Sequence, residues 1–318
     1  HFPAEKSAIA HYIQLVQDTC KQVPLFNLRM GHAAEKESIT NLSINEQFSV
    51  LGLSEKLQHT LTGNSLLYAG EKDVTPFLNH ALIMHSYISG SYKFSKGSAQ
   101  LTKALAQIIR EHHGKIVNKT KIVKICGEDD CIHYAVDENG QQWVADQYIC
   151  NIHPDRVIPI LDNINFKGAY TKRILHTPNS ISAFMINITL TPNTIRYQNT
   201  NIYWTNGDPL ESTHITPNTF SNFAIYHYQD PISPDYCKSI AILAYDDIRF
   251  YETWQNSVHT VLFNTERATS YQAFKLQRAQ QLLQLVAHHY QNISDHIQSL
   301  QIATPLTFKD YMGTKDGS

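Results

Sequence analysis

What this chain lacks narrows its chemistry first. None of its 13 glycines takes part in a Gly-x-Gly-x-x-Gly spacing ahead of a helical pattern. The loop whose backbone amides approach a dinucleotide pyrophosphate is therefore not within these residues. Charge of one sign is also lacking: 26 Lys and Arg against 28 Asp and Glu give a net charge of −2. That leaves no electrostatic case for nucleic acid or for an anionic membrane surface. Apolar runs are short, and none nears the roughly 20 residues that a membrane span needs. Cysteine is scarce and odd in number, at five, with no repeated spacing. Cys126 and Cys131 flank an acidic, hairpin-like turn that is neither a zinc nor a thioredoxin pattern. Reduced thiols in a cytoplasmic protein are the expectation. Histidine is abundant, at 17, yet no His-x-x-x-His or His-Glu-x-x-His occurs, so no metal site is expected. The adjacent pairs His112-His113 and His288-His289 lie near predicted helix ends, where positive charge suits the macrodipole. No Ser/His/Asp order surrounds a nucleophile elbow, and no carboxylates pair in a cleft-like context. Asp246-Asp247 reads as an exposed turn, and four Asn-x-Ser/Thr sequons carry little meaning without a secretory signal.

What is present is a chain of 318 residues, 42% hydrophobic and 17% charged, enough for a real core and about two domains. Residues 3–23 read as a helix with Pro3 in its first turn and Ile9, Tyr12, Ile13 and Val16 in one stripe. Ser43-Ile44-Asn45-Glu46 forms a capping box, Ser54 caps a short helix ending at Gly63, and Thr75-Pro76 opens a helix that Gly90 ends. Ser98 can cap a further helix carrying Leu101, Leu105, Ile108 and Ile109 on one face, with Gly114 in the left-handed position beyond it. Two β-rich runs follow, at 115–117 and 120–125. From about residue 180 the period changes to two. Ser182, Phe184, Ile186, Ile188 and Leu190 share one face, as do Phe223, Ile225 and His227, and Ile240, Ile242 and Ala244. Asn206-Gly207-Asp208-Pro209 and Asp230-Pro231 supply turns between them. A last helix covers about 270–290, with Phe274, Leu282, Leu285 and Val286 on its buried side.

Three segments together resemble the phytoene desaturase, carotenoid isomerase and retinol saturase group of flavoproteins. Lys96-Gly97-Ser98 is similar to the Gly-Gly-Ser turn that opens a helix there, with Lys96 in place of one glycine. Asn151-Ile152-His153-Pro154 resembles the piece that closes the same unit after an aspartate and an apolar strand. Thr75-Pro76-Phe77-Leu78-Asn79-His80-Ala81-Leu82, followed by Tyr87-Ile88-Ser89-Gly90-Ser91-Tyr92, looks like the retinol saturase branch (all-trans-retinol reductases). The tail from Ala303 to Gly313 is similar to the strand and linker that return the chain to the flavin domain.

The resemblance implies an α+β fold: a substrate domain of antiparallel or mixed sheet plus helices, interleaved with the remnant of an FAD-binding α/β domain. Residues 1–92 and 170–302 would be the substrate domain, and 93–169 and 303–318 the partial FAD domain. The chain then reads as the middle of a larger flavoenzyme lacking both terminal flavin-binding parts, and is expected by itself to be inactive and not to hold FAD tightly. The implied activity of the parent is an FAD-dependent oxidoreductase that reduces, or introduces, a carbon–carbon double bond in a polyene or isoprenoid such as a retinoid or carotenoid. NAD(P)H is a candidate electron donor. A carotenoid cis–trans isomerase and a non-catalytic apolar-ligand or interaction module are the alternatives. Gly97, Ser98, Ile122, Asn151 and Pro154 are the implied cofactor contacts; Gly97-Ser98 could equally be a plain helix start, and Ile122 a core residue. Tyr203, Trp204, Tyr226 and Tyr228 are candidate walls for an apolar substrate, or ordinary sheet aromatics. Catalytic residues are not assigned. Partners would be an apolar small molecule rather than nucleic acid, a peripheral membrane contact for reaching substrate, and a second copy docking on a surface left bare around 120–125 and 148–152.

Overall fold

The computed structural model describes residues 1–30, 42–94, 97–128, 131–164, 166–261, 263, 266–290 and 292–318; Lys96, the asparagine of the first sequon (Asn41) and residues 129–130 of the acidic turn lie outside them. The fold is α+β and divides into two compact units. Unit 1 comprises His1–Ser89, Asn179–Met312 and Asp316–Ser318, and unit 2 comprises Gly90–Pro178 and Gly313–Lys315. Residues 90–92 and 170–178, expected in the substrate domain, fall in unit 2. The tail is corrected too: residues 303–312 join unit 1 because Thr304 and Leu306 are buried there, Leu306 against Tyr251 and Tyr271.

Unit 1 begins with helices α1 (Lys6–Lys21), α2 (Ile44–Leu51), α3 (Glu55–Leu61) and α4 (Phe77–Ser89). Their starts are set by side chains. Ser43 accepts from the Glu46 amide at 3.2 Å while the Glu46 carboxylate accepts from the Ser43 amide at 2.8 Å, a complete capping box. Ser54 caps α3 through the Leu57 amide at 3.3 Å. Tyr12, Val16, Ile44, Phe48, Leu57, Phe77 and Ala81 close around one another as the helical core. Each large apolar member contributes about 1.5–3 kcal/mol on burial.

The remainder of unit 1 is a five-stranded antiparallel sheet of β5 (Ser182–Leu190), β6 (Ile202–Thr205), β7 (Asn222–Gln229), β8 (Cys237–Asp246) and β9 (Ile297–Ala303), in the order β6-β7-β8-β5-β9. The register places Ile202, Ile225, Ile242, Ile186 and Ile302 in one straight row across all five strands. The long helix of this unit, Thr269–Val286, covers that row with Ala279, Leu282 and Val286. A short helix, Pro305–Met312, follows β9.

Unit 2 holds α5 (Ala99–Glu111) and a four-stranded mixed sheet, β1 (Ile122–Glu128), β2 (Cys131–Asp137), β3 (Gln142–Trp143) and β4 (Leu161–Asp162), in the order β3-β2-β1-β4. Only the β1–β4 pair is parallel. The hairpin is so tight that a Cβ on Gly127 would lie 2.2 Å from the Cys131 carbonyl oxygen. Helices α6 (Pro154–Val157) and α7 (Gly168–His176) complete the unit; in chain order the unit 1 helices Thr269–Val286 and Pro305–Met312 are then α8 and α9.

Four local expectations are corrected in unit 2. Ser98 has helical dihedrals (φ −62°, ψ −20°) and its hydroxyl makes no cap bond, because an N-cap oxygen reaches back only from an extended residue. The left-handed residue after α5 is His113 (φ 63°), not Gly114. The His113 amide bonds Arg110 O and the Gly114 amide bonds Ile109 O, a Schellman arrangement in which Gly114 is needed for space, since its Cβ would lie 2.6 Å from the Ile109 side chain. Residues 115–117 and 145–152 form no strand, although their composition suits one. A strand is completed by a neighbour, and among the described residues neither segment has a ladder partner.

Candidate functional site

The face of the five-stranded sheet opposite the isoleucines is half-buried, with Ala224 and Ala241 fully covered. Its first row is Tyr203, Ala224, Leu243, Met185 and Ala303, apolar apart from one hydroxyl. The next row is Tyr226, Ala241, Asn187 and Gln301, and the third Tyr228, Ser239, Thr189 and Ser299. The face therefore grades from apolar to polar along the strands. The first row is covered in part: Leu66 packs on Ala224 and Tyr245, and the Tyr245 hydroxyl donates to Ser65 O at 2.9 Å. Asn187, Gln301 and Tyr228 at the other end are exposed.

The four aromatic candidates do not share a wall. Tyr203 and Tyr226 lie on this face with Leu243, packed against Leu66, Ala224 and Tyr245. Trp204 points to the opposite side, stacked on Phe223 with centroids 5.0 Å apart, and belongs to the core beneath α8. Period-two geometry separates neighbours 203 and 204, so a continuous four-residue wall is excluded. Tyr228 is at the exposed end. The structure adds Tyr87 from α4, whose hydroxyl bonds that of Tyr203 at 2.8 Å, while Asn201 Nδ2 donates to the Tyr203 hydroxyl at 3.4 Å. Tyr87 was not recoverable from pattern, because its partner is 116 positions away.

Beneath the sheet, Asp246 and Arg278 overturn the reading of Asp246-Asp247 as an exposed turn. Both Asp246 and Arg278 are fully buried and joined at 2.7 Å; Asp247 alone meets solvent, paired with Arg249. Tyr251 donates to Asp246 at 2.5 Å, and the Arg278 guanidinium lies 3.8 Å over the Phe220 ring. Burial raises the Asp246 carboxyl, against the pull of Arg278 and Tyr251. Enclosed by core on every side, this pair is a structural joint between β8 and α8. In the helical core His80 is held at both ring nitrogens, by Tyr12 at 2.8 Å and Tyr68 at 2.9 Å. Burial pushes it down to about 4, so it is neutral at physiological pH.

The implied cofactor contacts lie in unit 2 and are dispersed. Gly97 has φ 85° with open space where a Cβ would be. Ser98 and Asn151 are exposed, Ile122 begins β1 half-buried, and Pro154 opens α6 behind the His153 cap. Among the described residues no hydrogen bond joins any two of the five. Among the described residues no glycine-lined loop beside them could receive a pyrophosphate, so these residues alone do not fit FAD. Among the described residues no cluster of His, Cys, Asp or Glu could hold a metal ion, and no helix is long and apolar enough to cross a membrane.

No protein-family model and no curated protein sequence matches this chain. Among solved structures, a crystal structure of Rab GDI from Plasmodium falciparum is similar with a TM-score of 0.37 and 11% identity. The alignment covers 86% of this chain and 53% of that one, so this chain spans about half the length of that structure.

Proposed function

We propose that this chain is the substrate-handling part of an FAD-dependent oxidoreductase that acts on a carbon–carbon double bond of a polyene or isoprenoid. The observation that carries the reading is the half-buried apolar stretch Leu243–Met185–Ala303, beside the Leu66–Ala224 contact, on a face whose reverse side is already filled by core. A sheet packed on one side and graded on the other is a rigid floor for an elongated apolar molecule. Unit 2 supports the flavoprotein half of the reading in a different way. Among the described residues its strand-like segments at 115–117 and 145–152 have no ladder partner, and Ile149 is 95% exposed; a layer of further strands would complete it.

Energy transfer tests the floor. Trp204 adjoins Tyr203 in the chain, so a retinoid or carotenoid polyene on the open face should quench tryptophan emission saturably. Leu243→Asn, with an unchanged circular dichroism spectrum, should weaken binding about tenfold by removing apolar contact. Quenching that never saturates, or that ignores the Leu243 change, overturns the reading.

A further inference from the structure

The near-zero net charge of the chain conceals an uneven distribution. Residues 99–121 carry five cations, Lys103, Arg110, Lys115, Lys119 and Lys121, against one carboxylate, Glu111. All five are exposed, and among the described residues none is in an ion pair. Glu111 is turned to its own helix, accepting from Gln107 Nε2 at 2.7 Å. The same segment holds α5, whose stripe of Leu101, Leu105, Ile108 and Ile109 is 44–52% exposed and which has no buried residue. At 3.6 residues per turn Leu101, Leu105 and Ile108 share one side of α5, and Lys103 and Arg110 the opposite side. The turn at His113 and Gly114 then leads the chain off the helix into Lys115, Lys119 and Lys121.

Apolar stripe and cations together narrow what meets this surface. A nucleic acid would pair the cations and leave the stripe in water. A second copy of α5 would cover the stripe but set like charges against each other. An anionic bilayer answers both needs, with acyl chains for the stripe and phosphate and carboxylate headgroups for the cations. A helix lying in the interface is about 10–12 Å across, so cations on its upper side stay within about a Debye length of the headgroups. We propose that α5 and the lysines that follow it form a peripheral docking surface for an anionic lipid bilayer, with the stripe in the headgroup–acyl boundary. The contact does not depend on what the sheet face of unit 1 binds.

Co-sedimentation of the full chain with vesicles tests this. Two parts phosphatidylcholine to one part phosphatidylserine should bind about tenfold more tightly than phosphatidylcholine alone at low salt, and molar salt should abolish the difference. Leu101→Gln with Leu105→Gln should weaken binding to the mixed vesicles about tenfold. Lys115→Gln with Lys119→Gln should weaken it about tenfold there and change nothing on phosphatidylcholine alone. Ile232→Gln, at a bare isoleucine of unit 1, should change nothing. Denaturant melts of all three variants should superimpose on the parent's. Absent binding, equal binding to both lipids, or binding indifferent to the leucine pair overturns the proposal. So does a melt that collapses with the leucine pair, which would mean that the chain covers its own stripe, or a mass in light scattering that falls with it, which would assign the stripe to a second copy. Each of these outcomes leaves the sheet-face reading to its own quenching test.

Discussion

His80 shows what a residue in the wrong solvent costs. Its folded pKa of about 4 lies below its ordinary value of 6.5, because burial penalises the charged ring. A depressed histidine takes up protons in the unfolded chain first. Stability should therefore be complete above pH 6.5 and fall as pH drops towards 4, by about 3 kcal/mol in all. Urea melts between pH 7.5 and 4.5 measure the loss, and an NMR titration of the ring assigns it; a His80 midpoint near 6.5 would refute the burial argument. Arg278 makes the companion case. Asp246→Asn leaves a guanidinium buried beside Phe220 without a counterion, and should cost about 3–5 kcal/mol. Adding Arg278→Met should recover much of that in denaturant melts, since apolar side chains of similar volume often replace a buried pair without loss. Neither residue was legible as buried in the sequence. Asp246 stands in a double-aspartate pair, and only one member reaches water; Arg278 sits on a helix where pattern assigns charge to the outside. A buried ion pair is a two-body arrangement across 32 positions, and one-dimensional periodicity registers only one body at a time.

At the scale of elements, periodicity works where one face is plainly buried. The alternation in β5 is observed residue by residue, with Ser182, Phe184, Ile186, Ile188 and Leu190 all buried. The capping box at Ser43 and the Ser54 cap are likewise in place. Of the inward residues expected on α8, Leu282 and Val286 are buried, but Tyr271, Arg278 and Ala279 complete the face instead of Phe274 and Leu285. Helix α5 is the instructive contrast. Its stripe of Leu101, Leu105, Ile108 and Ile109 is as regular as any, yet each is about half exposed and no residue of the helix is buried. The stripe declares a face and cannot say what meets it. Substitution separates the two helices. Leu105→Lys should shift stability by less than about 0.5 kcal/mol and reduce binding of a hydrophobic dye, whereas Leu282→Ala should cost about 2–5 kcal/mol. Chemical denaturation of both variants checks the difference; a large loss at Leu105 would mean that the stripe is covered. The part of the candidate site on the sheet face was half legible for the same reason. Tyr203 and Tyr226 are on strands that alternate visibly, while Tyr87 enters from a helix far off in the chain.

At the scale of the molecule, unit 1 is written in two long pieces with most of unit 2 between them. Several of its closing contacts are consequently remote: Ser65 to Pro209 across 144 positions, and Tyr245 to Ser65 across 180. During synthesis the helices of residues 1–89 emerge well before the strands against which Leu66 is buried. Closing so large a loop costs chain entropy before any strand contact repays it, and such topologies reach the native state slowly. The helical piece can settle early around His80, whose partners Tyr12 and Tyr68 are both at hand in the same stretch. Leu66 cannot. Until β7 and β8 arrive it has no roof, and the nascent chain carries that bare leucine through the whole time it takes to make the 89 residues of Gly90–Pro178 and the early strands beyond. The order of manufacture thus leaves this protein with an interval in which a chaperone has something to hold.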